Sequence, residues 1–150
     1  MSGTRHQISG EPLSFEIPDD WDLWRQPDGL VFLASAPENA DPFEAQILVT
    51  KEVLDDVRTS MDYLLGNYVS LKEHLNGFVD RGAERFEVAG VEVGSLRYSA
   101  TIDAYEVSSM DFYVLTGNVA YIIQCKAHID DFSRWESTFA NVGASIVINA

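Results

Sequence analysis

The residues of this chain most able to do chemistry are three histidines, one cysteine and the aspartate pairs Asp55-Asp56 and Asp130-Asp131. His6, His74 and His128 could act as bases or metal ligands. No two of them stand at a spacing that places ligands together, and Cys125 belongs to no Cys-x-x-Cys pair. Cys125 alternates with Tyr121 and Ile123, so it is expected on an apolar strand face, where burial raises a thiol's pKa and makes it inert. Each aspartate pair precedes a helical stretch, where acids complement the helix N-terminus, so capping accounts for them better than calcium binding or acid–base catalysis. There is no Gly-x-Ser-x-Gly elbow, no phosphate-cradling loop and no dinucleotide fingerprint. Gly90 and Gly94 stand four residues apart, but at a hairpin rather than at the opening of a helix. The expectation is a protein with no catalytic set, no metal and no cofactor.

At 150 residues the chain suits one domain, long enough to bury roughly 68–70% of the surface its unfolded form exposes. Hydrophobic residues at 46% against charged residues at 23% disfavour disorder. Acids outnumber bases 24 to 10, a formal charge of −14. Such a field repels nucleic-acid phosphates and anionic membranes and favours a basic partner. The acids are scattered, which suits a solvated surface as well as a docking patch. A lone cysteine excludes an intrachain disulfide, no window resembles a membrane span, and residues 1–10 resemble no signal peptide. A cytoplasmic location is expected.

The elements follow from periodicity. Residues 1–11 are polar and aperiodic and read as a flexible arm, with a single domain over 12–150. Residues 13–17 alternate, and Pro18 ends that strand before a turn that seats Trp21 over the core. Trp21 and Trp24 could instead form an exposed aromatic platform. Residues 29–34 and 44–50 are further strands, with a loop over 39–42. Met61, Leu64, Leu65, Tyr68, Leu71 and Leu75 then recur at helical spacing, so 59–75 is a helix capped by Thr59 and left through Asn76-Gly77. Strands 78–88 and 91–100 meet at Ala89-Gly90, and 105–115 and 119–127 meet at Gly117-Asn118. Phe132, Trp135, Phe139 and Val142 mark a second helix from about 131 to 142, with Ser133 and Glu136 as a capping box or Asp130 or Asp131 as the cap. Residues 146–148 are extended. The order β-β-β-α-β-β-β-β-α argues an α+β fold with an antiparallel sheet of about six to seven strands and helices packed on it.

A two-residue loop at Gly117-Asn118 fixes a register in which Thr116 faces Val119, Val114 faces Tyr121 and Phe112 faces Ile123. One face then carries Met110, Phe112, Val114, Tyr121, Ile123 and Cys125 and should receive Phe132, Trp135 and Phe139 of the second helix. On the other, Tyr113, Leu115 and Ile122 would form an apolar patch rimmed by Asp111, Gln124 and Lys126, a composition suited to a protein partner. The same face could be covered by the first helix in a three-layer sandwich. Both arrangements fit the pattern.

Residues 15–21 (Phe-Glu-Ile-Pro-Asp-Asp-Trp), the helix before Gly77, the turn at 87–92, the 111–127 hairpin with Ala120-Tyr121-Ile122 after its turn, and Phe132, Phe139 and Ser145-Ile146 resemble the PsbP-like superfamily. That superfamily includes DcrB- and LpqN-type bacterial proteins, Eag-type chaperones of secretion effectors and a Ran-binding import factor. The resemblance covers nearly the whole chain. It implies an antiparallel sheet sandwiched by helices and a non-enzymatic, chaperone-like binding role toward a protein, with a secretion effector as one candidate and a second copy of the chain as another. The alternatives are an exported PsbP- or LpqN-like accessory protein whose leader is absent from this chain, and a small carboxylate-dependent enzyme. The superfamily shares no catalytic set, so no residue acquires a role from it.

Overall fold

Residues 3–24, 30–37 and 45–149 are described by a computed structural model. They form the strands β1 (Gly3–Gln7), β2 (Leu13–Pro18), β3 (Asp22–Leu23), β4 (Phe32–Ser35) and β5 (Gln46–Val53), then the helix α1 (Ser60–His74). The strands β6 (Asn76–Val88), β7 (Val91–Ile102), β8 (Tyr105–Thr116) and β9 (Val119–His128) follow, then α2 (Phe132–Ala144) and β10 (Val147–Ile148). The α+β class is as expected. The anticipated strand starts at Gly29 and Glu44 and the 39–42 loop lie outside the described residues.

Seven strands make one antiparallel sheet in the order β3-β4-β5-β9-β8-β7-β6. Its centre is the hairpin legible from Gly117, whose φ of +59° suits a primed turn. Thr116 pairs with Val119, Val114 with Tyr121 and Phe112 with Ile123, the register the turn dictates. The β7–β8 turn is less legible, because Asp103 and Ala104 hold positive φ without a glycine.

The segment expected as an arm is instead a strand. β1 pairs along β2 from Gly3↔Pro18 to Gln7↔Ser14, and β10 pairs with the other edge of β2. Arg5 donates from Nη1 to Ser14 Oγ and to the Ser145 carbonyl, Ile8 is buried, and Glu11 accepts from Tyr121 Oη at 2.7 Å. A mostly exposed edge strand shows no apolar alternation, so its pairing escapes a reading by period.

α1 begins where expected, with Thr59 Oγ1 accepting from the Asp62 backbone N–H at 3.0 Å. The capping box expected for α2 does not form. Asp131 holds the N-cap in a helical conformation (φ −108°, ψ −6°), without the extended backbone that aims a cap side chain inward. Its Oδ2 accepts instead from Trp135 Nε1, and Glu136 pairs with Arg97.

The large sheet separates two cores. On one side the small sheet and α2 bury Leu13, Phe15, Ile17, Trp21, Trp135, Phe139 and Val142 against Ile47, Val49, Met110, Phe112, Val114, Tyr121, Ile123 and Cys125. Trp21 is seated in that core, edge-on to Trp135 at 5.3 Å. On the other side α1 lays Tyr63 and Leu64 over Leu96, Tyr98, Tyr113 and Ala120. The chain is an α/β/α sandwich with its small sheet in the same layer as α2.

Candidate functional site

The hairpin face proposed from sequence as a partner surface is largely an interior. Tyr113 is 1% exposed, edge-on to Tyr63 of α1 at 6.1 Å, and Asp111 is 0% exposed. Leu115 and Ile122 are partly buried against the same core, and Gln124 is half-buried with its Nε2 donating to Asp111 Oδ2 at 3.2 Å. The expectation of an exposed patch at Asp111, Tyr113, Leu115, Ile122 and Gln124 is corrected accordingly. α1 brings an apolar stripe of the right length, and covering Tyr113 removes its ring from water.

Asp111 anchors a polar knot there. Tyr98 Oη donates to its Oδ2 at 2.9 Å, and Ser109 Oγ bonds to Oδ1. Burial pushes the Asp111 carboxyl above its ordinary pKa, against the pull of these donors and of Lys126. The Tyr98 and Tyr113 phenols are also pushed up by burial and by Asp111. Having no exposure, the carboxylate offers no route to a solute. Burial likewise raises the Cys125 thiol. His74 Nδ1 contacts the Ser70 carbonyl, and His128 Nδ1 accepts from the Asp130 N–H. Among the described residues no three His, Cys, Asp or Glu could hold a metal, and no helix is long and apolar enough to cross a membrane.

The opening that sequence reasoning missed lies on the opposite side. Seven strands about 4.8 Å apart make a sheet much wider than one helix of about 10 Å. α2 packs on β8 and β9 and the small sheet extends that layer toward β5, which leaves β6 and β7 beyond the edge of the helix. Alanines at 140 and 144 keep the wall of α2 low. The result is a groove of about 360 Å³ between Phe86 and Val88 of β6, Ser95 and Arg97 of β7, Met110 and Phe112 of β8, and Ala140 and Ala144 of α2. Phe86 stands edge-on to Phe112 at 6.3 Å and forms the floor with it.

Arg97 bounds this groove and a second cavity of about 330 Å³ that includes Arg81, Ser108, Phe132, Ser133 and Glu136. Arg97 Nη1 reaches Glu136 Oε2 at 2.9 Å, a strut from β7 to α2 between the apolar end and the polar end. Arg81 Nε donates to Ser99 Oγ at 3.1 Å. None of the histidines lines either cavity. The carboxylates beside the serines of these cavities are Glu84 and Glu136, the latter held by Arg97. Trp24 is 53% exposed, its Nε1 donating to Ser35 Oγ at 2.6 Å, and it lies apart from Trp21 in the core, so the two indoles form no platform.

No protein-family model matches the chain, and no curated protein matches it. Solved structures do. LpqN of Mycobacterium tuberculosis, described as involved in cell envelope biogenesis, aligns over 99% of this chain and 91% of its own at 17% identity, with a TM-score of 0.76. The cyanobacterial PsbP of Synechocystis aligns over 98% and 92% at 14% identity, TM-score 0.71. The Saccharomyces cerevisiae Ran-binding protein Mog1p aligns over 99% and 96% at 9% identity, TM-score 0.67. At these identities the likeness is one of fold: the chain has the PsbP-like fold.

Proposed function

We propose that this chain is a non-enzymatic binding adaptor that holds a segment of a partner protein in the groove beside α2. The observation that carries the reading is that groove: an aromatic floor of Phe86 and Phe112, open along a helix wall of alanines, running into an arginine-lined end. Apolar floors with polar rims are the composition of protein-binding surfaces. The presence of a Ran-binding protein among the structures of the same fold supports a protein as the partner. The overall charge of −14 favours a partner that is basic or neutral around its docking segment. A secretion effector as that partner, and the cytoplasm as the place of work, are the narrower form of the proposal and rest on the resemblance to Eag-type chaperones.

Filling the groove tests it. Ala140 and Ala144 are exposed on α2, so Ala140→Trp and Ala144→Trp add bulk without disturbing the core. Tagged wild type and both variants would be purified from the native cell after quantifying the folded fraction by circular dichroism. The expected result is a partner retained by the wild type and reduced at least about tenfold in both variants, a loss of about 1.4 kcal/mol. A partner retained equally by all three would rule the groove out.

A further inference from the structure

Resting on the binding reading above, we infer that Arg81 is a carboxylate-recognition subsite, which accepts one acidic side chain of a partner segment whose apolar neighbours lie along the groove. The backbone sets this residue aside. In the β6–β7 register Asp80 pairs with Tyr98 and Gly82 with Arg97, so Arg81 is the extra residue of a bulge. The Gly82 N–H donates to Asp80 Oδ1 at 2.8 Å, and Gly82 takes a φ of +120°. A bulge of this kind re-aims a side chain, and here the Arg81 guanidinium is turned onto the α2 side, tethered by Nε to Ser99.

Its charge is unmatched. Arg5, Arg58, Arg85 and Arg97 each pair with a carboxylate, whereas Arg81 forms no ion pair among the described residues. In a chain with 24 acids and 10 bases, an arginine left facing hydroxyls is the exception. The hydroxyls beside it are also unmatched. Ser108 is 6% exposed, stands opposite Ser99 in the β7–β8 register, and makes no side-chain hydrogen bond within the described residues. Ser95, 4% exposed and lining the adjoining cavities, is in the same condition. No fully enclosed side-chain polar atom among the described residues lacks a partner, so both hydroxyls keep an opening, Ser95 onto the groove and Ser108 onto the adjoining cavity.

A guanidinium tethered by Nε still presents two terminal nitrogens, the fork that meets a carboxylate with two parallel bonds, and the serine hydroxyls can donate to the same oxygens. Glu84 and Glu136 line the neighbouring walls. They disfavour a doubly charged phosphate more than a singly charged carboxylate. The acidic residue must also arrive within a segment that is otherwise neutral or basic, because the −14 field repels a strongly acidic one.

The test uses the full chain, ¹⁵N-labelled, titrated with the blocked pentapeptide acetyl-Lys-Leu-Asp-Leu-Lys-amide, with its Asn counterpart, and with inorganic phosphate. The subsite predicts shifts at the amides of Arg81, Ser99 and Ser108 and binding of the Asp peptide about tenfold tighter than the Asn peptide. Arg81→Met abolishes that preference while leaving the spectrum folded, and Arg81→Lys keeps part of it. Equal binding of the two peptides with shifts at Phe112 and Ala144 would overturn the carboxylate subsite and leave the groove standing. A preference that survives Arg81→Met, a response to phosphate alone, or no shift with any probe would each overturn the subsite. The groove itself is judged separately by the tryptophan variants.

Discussion

Asp111 shows how a residue that looks like surface chemistry in the sequence becomes an internal strut. Its neighbours Tyr113 and Leu115 alternate as a half-exposed strand would, and nothing in that alternation says which layer lies above. The structure places the carboxyl at 0% exposure with Tyr98, Ser109 and Gln124 as donors. Because burial raises its pKa in the folded state, ionisation favours the unfolded chain. Its stabilising state is fully present below the unfolded aspartate value of about 3.9 and is lost as pH rises from there through the raised folded value. Asp111→Asn, which cannot ionise, should therefore gain on the wild type by up to about 1.4 kcal/mol per pH unit as urea melts move from pH 4 toward neutrality. A stability difference that stays flat over that range would mean the carboxyl is ionised throughout and the donors outweigh burial. Glu11 shifts the opposite way, lowered first by the Tyr121 hydroxyl, and is common to both proteins, so the comparison removes it.

At the scale of elements, legibility tracked the strength of local signals. The Gly117-Asn118 turn set the central register, Thr59 set the start of α1, and the apolar face of the hairpin named the α2 residues that pack on it. β1 was illegible because its partner strand, not its own pattern, orders it. The β7–β8 turn escaped notice because Asp103 and Ala104 adopt positive φ where a glycine would be the expected signal. The α2 docking carries its own prediction. A Cβ added at Gly143 would overlap the ring of Phe112, so this glycine permits the close approach of helix to sheet. Gly→Ala inside a helix ordinarily gains up to about 1 kcal/mol. Here Gly143→Ala should instead cost about 1–3 kcal/mol, read as a fall in the urea midpoint at unchanged slope. A stabilised variant would mean that α2 sits farther from β8 than the structure places it.

The whole molecule decides what no single element could. Sequence periodicity indicates that a strand has an apolar face, but not how far along a seven-stranded sheet each covering layer extends. α1 covers β6 to β8 on one side, while α2 with the small sheet covers the other from β8 toward β4, so β6 and β7 are left open beside α2. That offset produces the groove and explains why the hairpin face legible in the sequence as a surface lies under α1. The central claim, that a partner lies along this opening, is tested most directly by site-specific photocross-linking in the native cell. A benzoylphenylalanine would be placed at Ala140, at Ala144 and, as a control on the outer surface of α1, at the exposed Val69. The account predicts one cross-linked protein partner at both groove positions and none at Val69. Cross-linking to the same partner at Val69 with none at Ala140 and Ala144 would contradict it.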